Sequence, residues 1–339
     1  MTAARLALIG GCLGALWAAC GWAVTPGAGA APDSLARADS LAGGADSPPF
    51  ALRRVQTIAA PRNTDGNLAR PAGIAVDAFG RLYVTDAALH RLQRFEADGS
   101  WIGQSGALGS GPGDIRRPGS VVTAGALLVA VLDVENRRVV TYDLFGRLQG
   151  IVVDLAAAAL EDVVGRVDPV ALASDRGGSL YVADADQDRL LVFDTSGRLI
   201  RTLGAIGSGP GSFRGLSGVA VGRTAEILTA ERVNARVQRL DPSGRSRAAW
   251  PLPVRGARAA LPVAVDDSLR VAVADEASGR LWVFDGAGRL LATLAGLQGP
   301  EALAFGPAGT LWVAEAGGGH VVCFALTPRI SDEPVPEGK

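Results

Sequence analysis

The sequence predicts an all-β protein: a six-bladed β-propeller of four-stranded blades, with the ring closed by an N-terminal strand. Three observations lead there. From residue 70 onward one pattern returns six times, in which a β-type run ends in a carboxylate, a cation follows five residues later, and an aromatic or leucine follows four after that. The six carboxylates stand 47, 51, 47, 44 and 40 residues apart, and a period of roughly 40–50 residues holding several short strands is what a propeller blade produces. The sixth copy lacks a last strand, while an unpartnered β-type run lies ahead of the first copy.

The first fifty residues stand outside the repeat. No charge occurs from Leu6 to Pro32, and Leu6 to Ala19, after Arg5, is the most apolar part, the layout of an export signal. Residues 1–23 are read as a signal peptide or a lipoprotein signal or anchor. Three endings stay open: lipidation of Cys20 in Trp17-Ala18-Ala19-Cys20, cleavage after Ala23 or Ala30 on small-x-Ala patterns, or retention of Leu6 to Val24 as an anchor, close to the ~20 apolar residues that span a bilayer. Each places the rest of the chain outside the cytoplasm, exported to the cell envelope as an anchored, periplasmic or extracellular protein. Residues 24–50 turn to Ala, Gly, Pro, Ser and Asp. Such a stretch buries too little apolar surface to offset its ordering entropy and is expected to be a flexible tether. Residues 51–328 form the propeller and 329–339 a disordered tail.

Within the repeat the carboxylate and cation are Asp86 and Arg91, Asp133 and Arg138, Asp184 and Arg189, Glu231 and Arg236, Asp275 and Arg280, and Glu315 and His320. A position filled in every copy serves the blade, so these are expected to be ion pairs linking the second and third strands. Phe95, Tyr142, Phe193, Leu240, Phe284 and Phe324 follow in register and are expected to pack between blades. Four residues further on, Gly99, Gly146, Gly197, Gly244 and Gly288 mark hairpin turns before the outer strand. Length varies only after those glycines, because inner strands must fit one radius and outer edges need not. Leu52 to Ala59 supplies the missing strand of the sixth copy and removes the open edges that invite aggregation. Residues 155–164 account for the longest spacing as a short helix at the rim. Gly-Ser-Gly-Pro-Gly occurs at 109–113 and 207–211; each is followed by a strand rather than a helix, so it is a turn and not a phosphate cradle.

Composition narrows function by exclusion. With 33 basic and 34 acidic residues, the formal charge of −1 gives no field that would draw nucleic acid or anionic lipid. Two histidines, His90 and His320, do not supply a His-rich zinc site. Three cysteines, two of them in the first twenty residues, exclude a disulfide framework.

The repeat resembles the NHL family of six-bladed propellers. The resemblance is carried by Gly-Ile-Ala-Val-Asp at 73–77, Leu-Tyr-Val-Thr-Asp at 82–86, His-Arg-Leu-Gln-Arg-Phe at 90–95, and the connection at 106–115, which returns at 204–213. It covers about 70–328 plus the closing strand. It implies the fold and not one role, since such propellers serve as protein-binding, RNA-binding and enzymatic scaffolds.

Function is expected where the six-fold pattern breaks, in the loops between second and third strands. The candidate binding face comprises Leu89, His90, Glu135, Asn136, Arg137, Asp186, Gln187, Asp188, Arg232, Asn234 and Glu276. These loops sum to −2, the opposite of what phosphate recognition requires. No residue is assigned a catalytic role, and no metal or other cofactor is assigned. His320 is read as a hydrogen-bonded stand-in for arginine, and Asp186, Asp188 and Glu276 as solvated loop charges rather than cation ligands. Propeller lyases that use a zinc site or a His base find too few histidines here. Lactonase-like propellers need carboxylates and Asn around a divalent cation, and the Asn supply is Asn63, Asn67, Asn136 and Asn234. The reading is therefore a monomeric scaffold that binds a protein, peptide or glycan and touches membrane only through an N-terminal anchor. The alternative is a metal-assisted hydrolase or lyase, favoured if unpaired carboxylates converge at the channel mouth; a mouth of Ala, Gly and Val alone favours the scaffold.

Overall fold

A computed structural model describes residues 48–60, 64–254 and 260–329. The signal segment with Cys20, most of the tether and tail, and Asn63 lie outside the described residues. Chain order begins with β1 (Phe50–Ile58), and the first blade follows as β2 (Pro71–Val76), β3 (Leu82–Asp86), β4 (Arg91–Phe95) and β5 (Trp101–Ser105). Blade two is β6 (Pro118–Ala124), β7 (Leu128–Asp133), β8 (Arg138–Asp143) and β9 (Leu148–Asp154), and the helix α1 (Ala158–Val164) leads out of it. Blade three is β10 (Pro169–Ser174), β11 (Leu180–Asp184), β12 (Arg189–Phe193) and β13 (Leu199–Leu203); blade four is β14 (Leu216–Val221), β15 (Ile227–Glu231), β16 (Arg236–Leu240) and β17 (Ser246–Pro251). Blade five is β18 (Val263–Val265), β19 (Val271–Asp275), β20 (Arg280–Phe284) and β21 (Leu290–Leu294), and the chain ends in β22 (Pro300–Phe305), β23 (Leu311–Glu315) and β24 (His320–Pro328).

Each blade is a four-stranded antiparallel meander, and the sixth sheet runs β1-β24-β23-β22. The closing strand is thus β1, which pairs with β24 from Phe50 opposite Pro328 to Ile58 opposite Val321. The repeat register is literal: in every blade the carboxylate sits directly opposite the cation, as Asp86 opposite Arg91 and Glu315 opposite His320.

Six apolar clusters fill the six interfaces between blades. Phe95 packs with Trp312, Val321 and Cys323 of blade six, Tyr142 with Tyr83 and Leu92 of blade one, and Phe193 with Leu132 and Val139 of blade two. Leu240, Phe284 and Phe324 sit in the corresponding clusters of the next three interfaces. The repeat residue therefore always faces the preceding blade. Fully burying one such side chain contributes roughly 1.5–3 kcal/mol, and the six together make the ring cooperative. Near the axis blades must approach closely, and Gly73 shows how: a Cβ there would collide with the Gly119 carbonyl oxygen and Thr85 Oγ1.

Candidate functional site

A propeller turns each sheet edge-on to its axis, so the first strands β2, β6, β10, β14, β18 and β22 line a central channel. That channel is a cavity of about 680 Å³. Each first strand begins opposite the end of its second strand, so the first strands start on the face that also carries the loops between second and third strands. The first strands of blades one, two, three, four and six start with a register shift. Such a bulge leaves a residue unpaired and re-aims its side chain. Glu301 is one of these residues, lying between the pairs Pro300–Glu315 and Ala302–Ala314.

The repeat carboxylates and cations build the blade. Arg138 donates from Nε to Asp133 at 2.8 Å and from Nη1 and Nη2 to the carbonyls of Ser110, Gly111 and Asp114 at 3.1, 2.7 and 2.9 Å. Asp133, fully buried, also accepts the Arg116 N–H at 2.7 Å. Arg236 with Glu231 repeats the arrangement on Ser208, Gly209 and Ser212, and Arg189 joins Asp184 to the last residue of α1. The pair thus staples the connection that enters its blade. Both Gly-Ser-Gly-Pro-Gly stretches are the turns so stapled.

Two expected pairs do not form. Asp86 is filled by four backbone N–H groups, of Ala69, Arg70, Ala88 and Leu89, and Arg91 turns instead to Asn67 and Gln104. In blade five, Arg280 is exposed and Asp275 Oδ2 is buried without a partner. There Glu276 takes over the bond to the incoming connection, accepting the Ala260 N–H at 3.2 Å. His320 lies 3.6 Å from Glu315, too far for a hydrogen bond.

Several residues placed on the binding face are used inside the loops. His90, Arg137 and Asp188 take the left-handed conformation that a four-residue loop needs at its last position, with φ of 54°, 48° and 47°. His90 Nδ1 accepts the Arg117 N–H at 2.9 Å, and Asp188 Oδ1 accepts that of Leu216 at 2.7 Å. Asn136 and Asn234 each bridge the repeat carboxylate of their blade to a carbonyl of the preceding connection, Gly109 or Gly207. These four side chains are bonded within the loops and connections, because short loops must satisfy their own backbone groups first. Glu135 pairs with Arg116 at 3.3 Å and Arg137 with Glu161 at 2.7 Å. Leu89 and Gln187 are half-buried and Asp186 is exposed.

Arg232 and Glu276 do line the channel, and the loop-based reading missed their companions Arg70, Arg117, Asp168 and Glu301. Each stands where the six-fold pattern breaks. After the repeat carboxylate, the other blades have Ala87, Val134, Ala185 and Ala316 where blades four and five have Arg232 and Glu276. At the residue ahead of the first strand, blades one to three have Arg70, Arg117 and Asp168, while blades four and six have Gly215 and Gly299.

Arg70 donates to Glu301 Oε1 from both Nε, at 2.9 Å, and Nη2, at 2.5 Å. Burial pushes the Glu301 carboxyl above the ordinary carboxylate range against the pull of Arg70; Glu276 adds to the rise and Arg117 opposes it. The bond to Glu301 raises Arg70 in turn. Arg117 is exposed, precedes Pro118 and has φ of 51°, a conformation that costs a non-glycine residue about 1–2 kcal/mol. Arg232 Nε is buried with no partner among the described residues. A second opening of about 550 Å³ shares Arg70, Glu276 and Glu301 and is otherwise walled by Ala69, Ala277, Gly299, Ala316 and Gly317. The mouth thus answers neither form of the test posed from sequence. It is charged, with three carboxylates and three guanidiniums among the described residues. Among the described residues no three His, Cys, Asp or Glu side chains gather as a metal site.

Comparison with known proteins agrees on the fold. The NHL repeat model matches residues 68–95, and a family model described as 6-bladed beta-propeller matches 161–236. No curated protein matches the sequence. Among solved structures, a streptogramin B lyase is similar with a TM-score of 0.56 at 12% identity, over 82% of this chain and 98% of that one. A catalytically inactive His-to-Ala variant of virginiamycin B lyase from Staphylococcus aureus, with quinupristin, gives 0.54 at 14% identity over 82% and 88%. A structural genomics protein from Bacteroides thetaiotaomicron gives 0.59 at 16% identity over 81% and 76%. The chain has the NHL propeller fold, and identities this low speak to fold alone.

Proposed function

We propose that this propeller is an extracytoplasmic binding scaffold whose channel mouth holds a protein, peptide or glycan. The observation that carries the reading is the concentration of Arg70, Arg117, Asp168, Arg232, Glu276 and Glu301 at one cavity, at positions where the blade itself needs no charge. Side chains that serve the blade are bonded to its backbone; of these six only Glu276 is, to the Ala260 N–H, while Arg70 and Glu301 hold each other and the other three make no ion pair among the described residues. A preformed rim on a closed ring loses little ordering entropy on binding. The export signal supports the location, and the geometry suits it: β1 starts opposite the end of β24, and the Arg329 N–H donates to the Pro49 carbonyl on the face away from the mouth. An N-terminal anchor would leave the mouth pointing into the compartment.

The lyase neighbours raise the enzymatic alternative. One of them is inactivated by replacing a histidine, whereas neither His90 nor His320 lines this cavity. Among the described residues the mouth carboxylates do not gather as a metal site, and Glu301 is tied to Arg70, so the scaffold is favoured. The test is to probe peptide and glycan arrays with the purified full chain and with an Arg117→Gln/Glu276→Gln variant, alongside melting with and without a chelator. We expect a bound class that weakens about tenfold or more in the variant and a melt the chelator does not move. Ligands retained undiminished by the variant overturn the reading. One divalent ion per chain whose removal lowers the melt moves it to metal-assisted chemistry.

A further inference from the structure

Among the described residues the charges at the mouth sum to zero. Three guanidiniums and three carboxylates stand around the ring, in blade order Arg70, Arg117, Asp168, Arg232, Glu276 and Glu301. Arg70 and Glu301 pair with each other across neighbouring blades. Among the described residues the remaining four make no ion pair, although Glu276 and Arg117 lie close enough to act on Glu301. Both bonds from Arg70 end on Oε1, so among the described residues Glu301 Oε2 has no donor and Glu276 receives a single backbone N–H. Among these residues, carboxylate lone pairs are therefore open on the side of blades five and six. On the side of blade two, the guanidinium of Arg117 has no acceptor among the described residues.

This pattern selects among ligand chemistries. A neutral sum gives no attraction for a polyanion. Phe305, at the far end of β22, is the one aromatic residue lining the cavity among the described residues, so the mouth offers no ring for a sugar to stack on. Unsatisfied groups of both signs across one opening call for a ligand that carries both signs. The recess above Glu276 and Glu301 is walled by alanines and glycines, so a backbone can pass there without displacing side chains. Arg117 holds its position in a left-handed conformation where blades four and six use glycines with φ of 69° and 63°; a strained residue at a cavity rim, whose guanidinium has no acceptor among the described residues, points to the ligand.

Resting on the binding reading above, we propose that the mouth takes a zwitterion with a free α-ammonium and a free carboxylate, as in an amino acid or a short peptide. The ammonium lies at Glu276 and Glu301, and the carboxylate at Arg117. A cavity of about 680 Å³ is of the size that encloses small ligands, and charge-assisted bonds at both ends fix the direction of the ligand.

The experiment is titration calorimetry on the purified full chain with alanine, tri-alanine, N-acetyl-tri-alanine, tri-alanine amide and the doubly blocked peptide. Unblocked tri-alanine or alanine is expected to bind, and which of them binds distinguishes a peptide from a free amino acid. Blocking either end is expected to weaken binding about tenfold or more. In Glu276→Gln, tri-alanine and its N-acetyl form are expected to bind alike, and in Arg117→Gln tri-alanine and its amide. Equal binding of the blocked and unblocked peptides overturns the proposal while leaving a peptide scaffold standing. Failure of all five probes, with an array ligand of another class still lost in the Arg117→Gln/Glu276→Gln variant, overturns the proposal alone. Failure of all five with no array ligand bound overturns both it and the reading on which it rests.

Discussion

Replacing Arg138 by Met tests whether the repeat cation works by stapling the incoming connection. Arg138 is buried and makes four charge-assisted bonds, one to the fully buried Asp133 and three to carbonyls of the connection. Methionine keeps most of the apolar stem and removes every bond, leaving the Asp133 charge in the interior with only the N–H groups of Arg116 and Asn136. Breaking a buried pair from one side costs about 3–5 kcal/mol. At roughly 2–4 °C per kcal/mol for a chain of this size, melting falls by roughly 6–20 °C. The internal control is Arg280→Met: that arginine fills the same repeat position but is exposed and has no partner among the described residues, so its loss stays within about 0.5 kcal/mol. Adding Asp133→Asn to Arg138→Met recovers part of the loss, because the amide oxygen still accepts backbone N–H while the stranded charge disappears. Denaturant and thermal unfolding measure all three. Equal losses for Arg138→Met and Arg280→Met, or no recovery in the double variant, would refute the stapling argument.

Further outcomes follow from single contacts. Gly197→Ala is expected to cost roughly 2–5 kcal/mol, since φ is 80° and the new Cβ would overlap the Val152 carbonyl oxygen of the preceding blade; Gly296→Ala, with φ of 86° but open space around it, is expected to cost only about 1–2 kcal/mol by unfolding. The Ser196 hydroxyl, helped by the Arg198 N–H, holds the Asp194 carboxyl at about 2, so its contribution is full above the ordinary aspartate value and is lost as pH falls from there toward about 2. Carbon-detected NMR titration reads this directly, and Ser196→Ala is expected to move the carboxyl upward. At the mouth, Arg70→Met removes the bond that restrains Glu301, and the same titration is expected to show Glu301 rising further above the ordinary carboxylate range.

The fold was legible because its signal is repeated and local. A carboxylate, a cation and an aromatic at fixed offsets define a hairpin and the side that faces the neighbouring blade, and no tertiary context is needed to read them. Partnering is another matter. Asp86 and Asp133 are indistinguishable in the repeat, yet Asp86 is filled by backbone donors and Asp133 by a guanidinium, a difference set by how each connection folds back. The site was half legible for a related reason. Arg232 and Glu276 lie in the loops where function was expected, but Arg70, Arg117, Asp168 and Glu301 lie at the starts of first strands, which read as blade framework. A signal was available: three of them directly precede a proline, and Glu301 directly follows one, in a register otherwise held by small or apolar residues.

Position in the repeat also explains why the mouth can change without harm to the ring. Stability resides in six interface clusters and in the carboxylate bonds that hold each incoming connection, whereas the side chains after the carboxylate and ahead of the first strand, Glu276 and Arg70 apart, bear on neither. Glu301 and Arg70, tied to each other between blades six and one, belong to the mouth and to the ring alike. That pair bridges blades six and one, so a ligand that draws Arg70 away from Glu301 would act on the interface between them. Binding there and the stability of that interface are expected to be linked, with a ligand for Glu301 offsetting the loss of Arg70 when both are measured on the same melt.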